Sequence, residues 1–305
     1  MHLHLDEDFI RESLLSRGYT MHQSVGSGNF GACYLVFSHK YKQDFVCKVT
    51  INKIENKMFE DSYKREVQAL INFTHPNILR SYEVFTDKDY MFMILEYCGG
   101  GNIMDHVKEH GLMKPFDLIR YTSQVIDSLD YIHSLGYAHR DIKPQNILID
   151  NNGRIKLADF GLIDNFDDPS SEKKVCGSLQ FMATELLRDE NYDPKKVDIW
   201  ALGVTIHKYA LGYVPFNGFT VDQMLEEIDQ GYKQTKTIPP PLSIIVQLCL
   251  QKEPAKRPTM AQLKQIMSQA INPNLAKRYS SLRNKIKPFT PGPAIVVPRF
   301  RYFSV

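Results

Sequence analysis

An α+β fold in two parts, strand-rich first and helix-rich second, is what this sequence predicts, and two patterns carry the prediction. Between residues 19 and 96 apolar side chains alternate and β-branched residues cluster, as in Cys33-Tyr34-Leu35-Val36-Phe37 and Phe45-Val46-Cys47-Lys48-Val49. That period of two is the mark of strands buried on at least one face. Beyond Gly101 the apolar residues return every three or four positions, over 118–135, 197–211 and 260–270, which predicts amphipathic helices. One helical stretch over 59–72 interrupts the strands. A short helix over 8–16, closed by Gly18, precedes them. No internal repeat is present.

Bulk properties narrow the class. A chain of 305 residues can bury a large core or two lobes around one cleft. With 37 basic and 35 acidic residues the net charge is +2, which argues against a general nucleic-acid binder. Cys33, Cys47, Cys98, Cys176 and Cys249 are scattered without close pairs, as reduced thiols of a cytoplasmic protein would be. No apolar run approaches the ~20 residues of a membrane span, and residues 1–11 lack the core of a signal peptide. The expectation is a monomer in the cytoplasm, with the nucleus open as a second location and no stable membrane association. Residues 271–305 carry five prolines and several Lys and Arg but no acidic residue, and read as a poorly ordered basic tail. It serves solubility or, alternatively, docking or contact with an acidic membrane.

The chemistry concentrates in His139-Arg140-Asp141-Ile142-Lys143-Pro144-Gln145-Asn146 and, shortly after, Asp159-Phe160-Gly161. Phosphoryl transfer requires a carboxylate to orient an attacking hydroxyl and ligands to hold magnesium. Asp141 suits the first task and Asn146 and Asp159 the second, while Lys143 can reach the phosphate in transit. Upstream, Gly26-Ser27-Gly28-Asn29-Phe30-Gly31 has the spacing of a phosphate-cradling loop. Alone it is a weak signal, equally met in dinucleotide sites. There, however, the loop opens a helix, whereas here it leads into the strand around Cys33 and then to Lys48.

Together these segments resemble the eukaryotic protein serine/threonine kinase family, nearest its calmodulin-dependent, AMP-activated and checkpoint members. The resemblance implies a bilobal kinase fold: an antiparallel N-lobe sheet with one regulatory helix, and a mainly α-helical C-lobe. Its expected boundaries are an N-terminal extension over 1–18 and a kinase domain over 19–270. Within that domain the N-lobe spans 19–95, the hinge 96–101 and the C-lobe 102–270. The implied cofactors are ATP and Mg²⁺, and the implied partners are protein substrates. Lys48, whose ammonium would be costly unpaired in a buried strand, would bind the α- and β-phosphates, held by Glu66. Backbone groups of Glu96 and Cys98 would bind adenine, with Leu95 as the gatekeeper. Val25, Cys33, Val46 and Leu148 would sandwich the ring, and Gly26, Ser27, Gly28, Asn29, Phe30 and Gly31 would cover the phosphates.

Further matches are structural. His139 is expected to pack beside Phe160, Glu185 to pair with Arg257, and Asp198 to brace the catalytic loop. Lys143 and Gly177-Ser178 point to serine/threonine rather than tyrosine acceptors. Departures from the family pattern also matter. Ser81 stands where a large aliphatic residue is usual, which predicts a looser spine, and Thr184 stands where proline is usual. Asn102 and Gln145 replace acidic residues, which predicts a weakened preference for arginine in the substrate. Lys174 occupies the usual phosphoacceptor position. Either Ser170, Ser171 or Glu172 supplies the negative charge that Arg140 would meet, or the segment orders without one. A pseudokinase scaffold and a small-molecule phosphotransferase are the competing readings.

Overall fold

The structure, a computed structural model, describes residues 5–28, 31–51, 57–166, 176–233 and 238–270. Strands β1 (Tyr19–Gly28), β2 (Gly31–Ser38), β3 (Gln43–Ile51), β4 (Ser81–Asp87) and β5 (Tyr90–Glu96) form one antiparallel sheet in the order β1-β2-β3-β5-β4. Helix α1 (Glu7–Ser16) precedes the sheet and α2 (Lys57–Asn72) interrupts it. The remainder is mostly helical: α3 (Ile103–His110), α4 (Pro115–Ser134), α5 (Thr184–Leu187), α6 (Pro194–Leu211), α7 (Val221–Asp229), α8 (Pro240–Cys249) and α9 (Met260–Ala270). Between α4 and α5 lie the short strands β6 (Tyr137–Ala138), β7 (Ile147–Ile149), β8 (Ile155–Leu157) and β9 (Asp164–Asn165), paired as β6–β9 and β7–β8. The expected two-part α+β fold is present.

Alternation splits the sheet into two faces, because successive side chains of a strand point to opposite sides. Cys33, Val46, Met93 and Leu95 belong to the main core, which continues into the helical half. Tyr34, Val36, Phe45, Cys47, Val49, Phe92 and Ile94 form a second core on the other face, capped by Ile10 and Leu14 of α1. Both of those α1 residues are fully buried, and burial of a side chain of that size contributes roughly 1.5–3 kcal/mol. Asp6 caps the helix by accepting from the Phe9 amide at 3.0 Å, and Ser13 Oγ donates to Asp87 at 2.7 Å. The amphipathic helix read from the sequence is therefore a lid on the back of the sheet.

In the helical half α6 is buried almost along its length, Trp200 and Tyr209 included. It carries Asp198 beneath the loop that follows β6. The Asp198 carboxylate accepts from the His139 amide, the Arg140 amide and His133 Nε2, each at 2.8 Å. Burial pushes this carboxyl up, but the hydrogen bond from His133 and the nearby imidazoles outweigh it and hold it below the usual range. The bracing is needed because Arg140 has φ of 65°, a left-handed conformation that costs a non-glycine residue about 1–2 kcal/mol.

Candidate active site

Three pieces of chain meet between the sheet and the helical half. From the sheet comes Lys48, opposite Cys33 on β2 and Met93 on β5. Its Nζ donates to both carboxylate oxygens of Glu66 on α2, at 2.7 and 2.6 Å. Burial lowers the lysine's affinity for its proton, yet Glu66 and then Asp159 outweigh that and shift it upward, so the ammonium stays charged. Burial raises the Glu66 carboxyl against the pull of Lys48. The sequence-predicted pair is brought together.

The loop after β6 supplies the second piece. Asn146 Nδ2 donates to the Asp141 carbonyl and to Asp141 Oδ2, both at 2.8 Å, and Lys143 Nζ lies 2.7 Å from the same Oδ2. Lys143 also donates to Ser178 Oγ at 3.3 Å. Gly177 permits this approach: its φ is +103°, and a Cβ there would lie 3.0 Å from the Arg140 carbonyl and 4.0 Å from Asp141 Oδ1. With the Asn146 amide nitrogen turned to Asp141, Asn146 Oδ1 is buried without a hydrogen-bond partner. An orphaned buried acceptor is costly, and a hard cation would satisfy it.

Asp159 belongs to the third piece. Its φ is 64°, and it acts electrostatically on Lys48, Glu66 and His139. Phe160, next in the chain, packs its ring 4.9 Å from His139 and 5.8 Å from Phe73. Ser81 is half-buried at the start of β4, opposite Leu95. Among the described residues no group of three or more His, Cys, Asp and Glu could hold a metal ion. A magnesium ion would therefore need ligands from outside that set, and the unpartnered Asn146 oxygen together with Asp159 and a substrate's phosphates fits such a shared site.

Val25, Cys33, Val46 and Leu148 are all buried in the main core beside the site. Burial foremost pushes the Cys33 thiol up to about 12, so it remains an apolar wall rather than a thiolate. Gly26 and Ser27 pair with Cys33 and Ala32, and Gly28 pairs with Gly31. Asn29 and Phe30 lie outside the described residues. Gly31 has a reason the sequence did not reveal: a Cβ there would fall 2.0 Å from the Val49 carbonyl, so the neighbouring strand itself requires glycine. At the hinge, the Glu96 amide already donates to the Arg80 carbonyl at 2.9 Å, and the Cys98 carbonyl accepts from Gly101 at 3.1 Å.

Sequence reasoning missed some partners. Lys156 Nζ lies 2.8 Å from Glu96 Oε1, joining β8 to the end of β5. The signal was a lysine flanked by Ile155 and Leu157 in a buried strand, which needs an anion. Thr184, in the position usual for proline, donates to the Lys252 carbonyl at 3.1 Å and to Glu185 Oε2 at 3.2 Å. Asn102 caps α3, accepting from the Asp105 amide at 2.9 Å and donating to Asp105 Oδ2 at 2.7 Å. Gln145 Oε1 is buried without a partner. Lys174, Ser170, Ser171 and Glu172 lie outside the described residues.

A sheet lobe, a helical lobe and this constellation between them agree with the match of residues 19–267 to the protein kinase domain family. The chain belongs to that family. It is 33 % identical over 260 residues to CBL-interacting protein kinase 1 of Oryza sativa subsp. japonica, covering 84 % of this chain and 56 % of that protein. A probable serine/threonine-protein kinase, MARK-A of Dictyostelium discoideum, is 33 % identical over 252 residues, 80 % of this chain and 23 % of the relative. The serine/threonine-protein kinase SIK3 homolog of Danio rerio is 32 % identical over 250 residues, 80 % of this chain and 21 % of the relative. These relatives agree with the calmodulin-dependent and AMP-activated-like group of serine/threonine kinases. The chain spans between about a fifth and just over half of their lengths. No helix of the described residues is long and apolar enough to cross a membrane.

Proposed function

We propose that the chain transfers the γ-phosphoryl group of ATP to serine and threonine hydroxyls of protein substrates. The observation that carries this is Asp141, held by Asn146 and flanked by Lys143 within 2.8 Å, with Asp159 acting electrostatically on the Lys48–Glu66 pair nearby. A carboxylate so fixed orients an acceptor hydroxyl and accepts its proton. Lys143, shared between Asp141 and Ser178, offsets charge on the phosphoryl group as it moves. Lys48 binds the α- and β-phosphates and Glu66 keeps its ammonium in place.

Asn146, through Oδ1, and Asp159 would hold magnesium, which would neutralise the triphosphate's charge. Adenine lies between Val25, Cys33 and Val46 above and Leu148 below, against the backbone of Glu96 and Cys98. Since the Glu96 amide is committed to Arg80, its carbonyl is the group offered to the base. The strand turn of residues 26–31 covers the phosphates. Neutral Asn102 and Gln145 weaken selection for arginine in the substrate, since neither offers a charge-assisted pair. The protein acts as a monomer in the cytoplasm, with access to the nucleus, its domain running from 19 to 270.

Transfer of label from γ-labelled ATP and Mg²⁺ to a degenerate peptide library tests this. The expected outcome is labelling of serine and threonine peptides without a dominant arginine, reduced about 10²- to 10⁴-fold in Asp141→Asn. Transfer that survives this substitution undiminished, or labelling of tyrosine alone, would contradict the reading.

A further inference from the structure

Arg140 precedes the proposed catalytic aspartate and is almost wholly buried, so its charge must be met locally. Its side chain meets the short stretch of residues 162–166 and also hydrogen-bonds Tyr192. Nε donates to the Leu162 carbonyl at 2.7 Å, Nη2 lies 3.5 Å from Asp164 Oδ2, and the guanidinium sits 5.5 Å from the Phe166 ring centre. The backbone fixes this geometry, because Asp164 pairs with Ala138, two positions before Arg140, and the Phe166 amide donates to the Gly136 carbonyl at 3.1 Å. Asp164 is itself held, since its Oδ1 accepts from the Asn165 amide at 2.9 Å.

A second cation is close by. Both Arg140 and Arg65 pull down the Cys176 thiol, which burial foremost raises. Arg65 Nε and Arg140 Nη1 are buried without hydrogen-bond partners. Both guanidiniums thus act electrostatically on the Cys176 thiol. Among the described residues Asp164 is the one carboxylate within ion-pair distance of Arg140.

We propose that Asp164 is the built-in counter-anion of Arg140, a positioning residue that orders the 162–166 segment and the catalytic loop without any added phosphate group. Resting on the kinase reading, this makes the chain constitutively competent. A carboxylate supplied in cis from β9 neutralises the arginine, so Asp141 stays placed whether or not the neighbouring serines are modified. The lysine at position 174 cannot supply such a charge.

Three measurements on the full chain decide it. Wild-type protein stripped by phosphatase, with its mass showing no phosphate, should keep its rate within about twofold. Asp164→Asn should lower kcat about ten- to a hundredfold, as misplacement of a reacting group does, with KM for ATP within about twofold, while Asp164→Glu restores most of the rate. Amide exchange at Asn165 and Phe166 should accelerate about tenfold in Asp164→Asn, a readout that requires no catalysis. Loss of activity on dephosphorylation, or unchanged kcat or unchanged exchange in Asp164→Asn, would overturn the proposal. Should the wild type transfer no phosphate at all, the functional reading fails, while the exchange experiment still decides whether Asp164 holds the segment.

Discussion

Two buried ion pairs, nearly equal in length, differ in what surrounds them. Arg257 meets Glu185 through two bonds of 2.6 and 2.8 Å, and its remaining N–H groups go to the carbonyls of Gln251, Lys196 and Lys252 at 2.8, 3.0 and 3.3 Å. Trp200 covers its face at 4.9 Å, and its side chain has no exposure. Lys48 meets Glu66 at 2.6 and 2.7 Å, but its side chain keeps 20 % exposure, where a ligand can approach. The first pair is saturated from every side and can only hold α5 to the rest of the helical lobe. The second pair keeps part of its lysine exposed to solvent. Exposure, rather than distance, separates the two pairs.

Breaking the saturated pair should have the largest effect on folding. Arg257→Met strands a buried Glu185, and loss of one partner of such a pair costs about 3–5 kcal/mol. Thermal denaturation should show a fall of roughly 6–20 °C in Tm for a domain of this size. A shift of under about two degrees would mean the saturation argument is wrong. Lys48→Met should reverse the pattern. Transfer of phosphate should fall about 10²- to 10³-fold, the usual loss for one preorganised electrostatic group. Stability should fall less than in Arg257→Met, because Lys48 is partly exposed and the Glu66 carboxyl, already raised by burial, takes up a proton more readily.

Smaller effects sharpen the contrast at Asp198 and His139, which are buried like the first pair but sit at the site. Burial foremost lowers the pKa of His139, so it is neutral when folded. Below the ordinary histidine value the unfolded chain gains a proton that the folded chain refuses. Stability from this group is therefore complete above that value and declines as pH falls, by at most about 1.4 kcal/mol per pH unit for one proton. The depressed Asp198 carboxyl adds a loss at still lower pH as it protonates. Chemical denaturation from pH 7 to 5 should show the decline, with a shallower slope in His139→Phe; identical slopes would remove His139 as a contributor. Thr184→Val should have the least effect, about 1 kcal/mol for two lost hydroxyl contacts, with phosphoryl transfer within about twofold of wild type.

How much was legible in the sequence follows from what each feature depends on. The strands around Cys33 and Lys48 and the helices over 118–135 and 197–211 were legible because alternation and helical spacing are local. Lys48 with Glu66 was legible because a buried lysine demands an anion and the family resemblance implies Glu66 as its partner, and Glu185 with Arg257 because the resemblance implies that pair. Contacts set by register were hidden. Nothing local says that Gly31 lies against the Val49 carbonyl, that Lys156 reaches Glu96, or that β9 carries Asp164 to Arg140. Those depend on which strand pairs with which and at what offset. The lid made by α1 was half legible: its apolar stripe was apparent, but its seat on the outer core of the sheet depended on the long-range placement of Phe45, Phe92 and Phe85.

On the proposed function, the Lys48–Glu66 pair and Asp141, Asn146 and Asp159 together bind a magnesium–nucleotide complex. Calorimetric titration of the full chain with ATP, with and without Mg²⁺, tests it most directly. Saturable binding that tightens with magnesium, and loses that dependence in Asp159→Asn, is the predicted result. Absence of ATP binding at millimolar concentrations in the presence of magnesium, or binding indifferent to the metal, would contradict it.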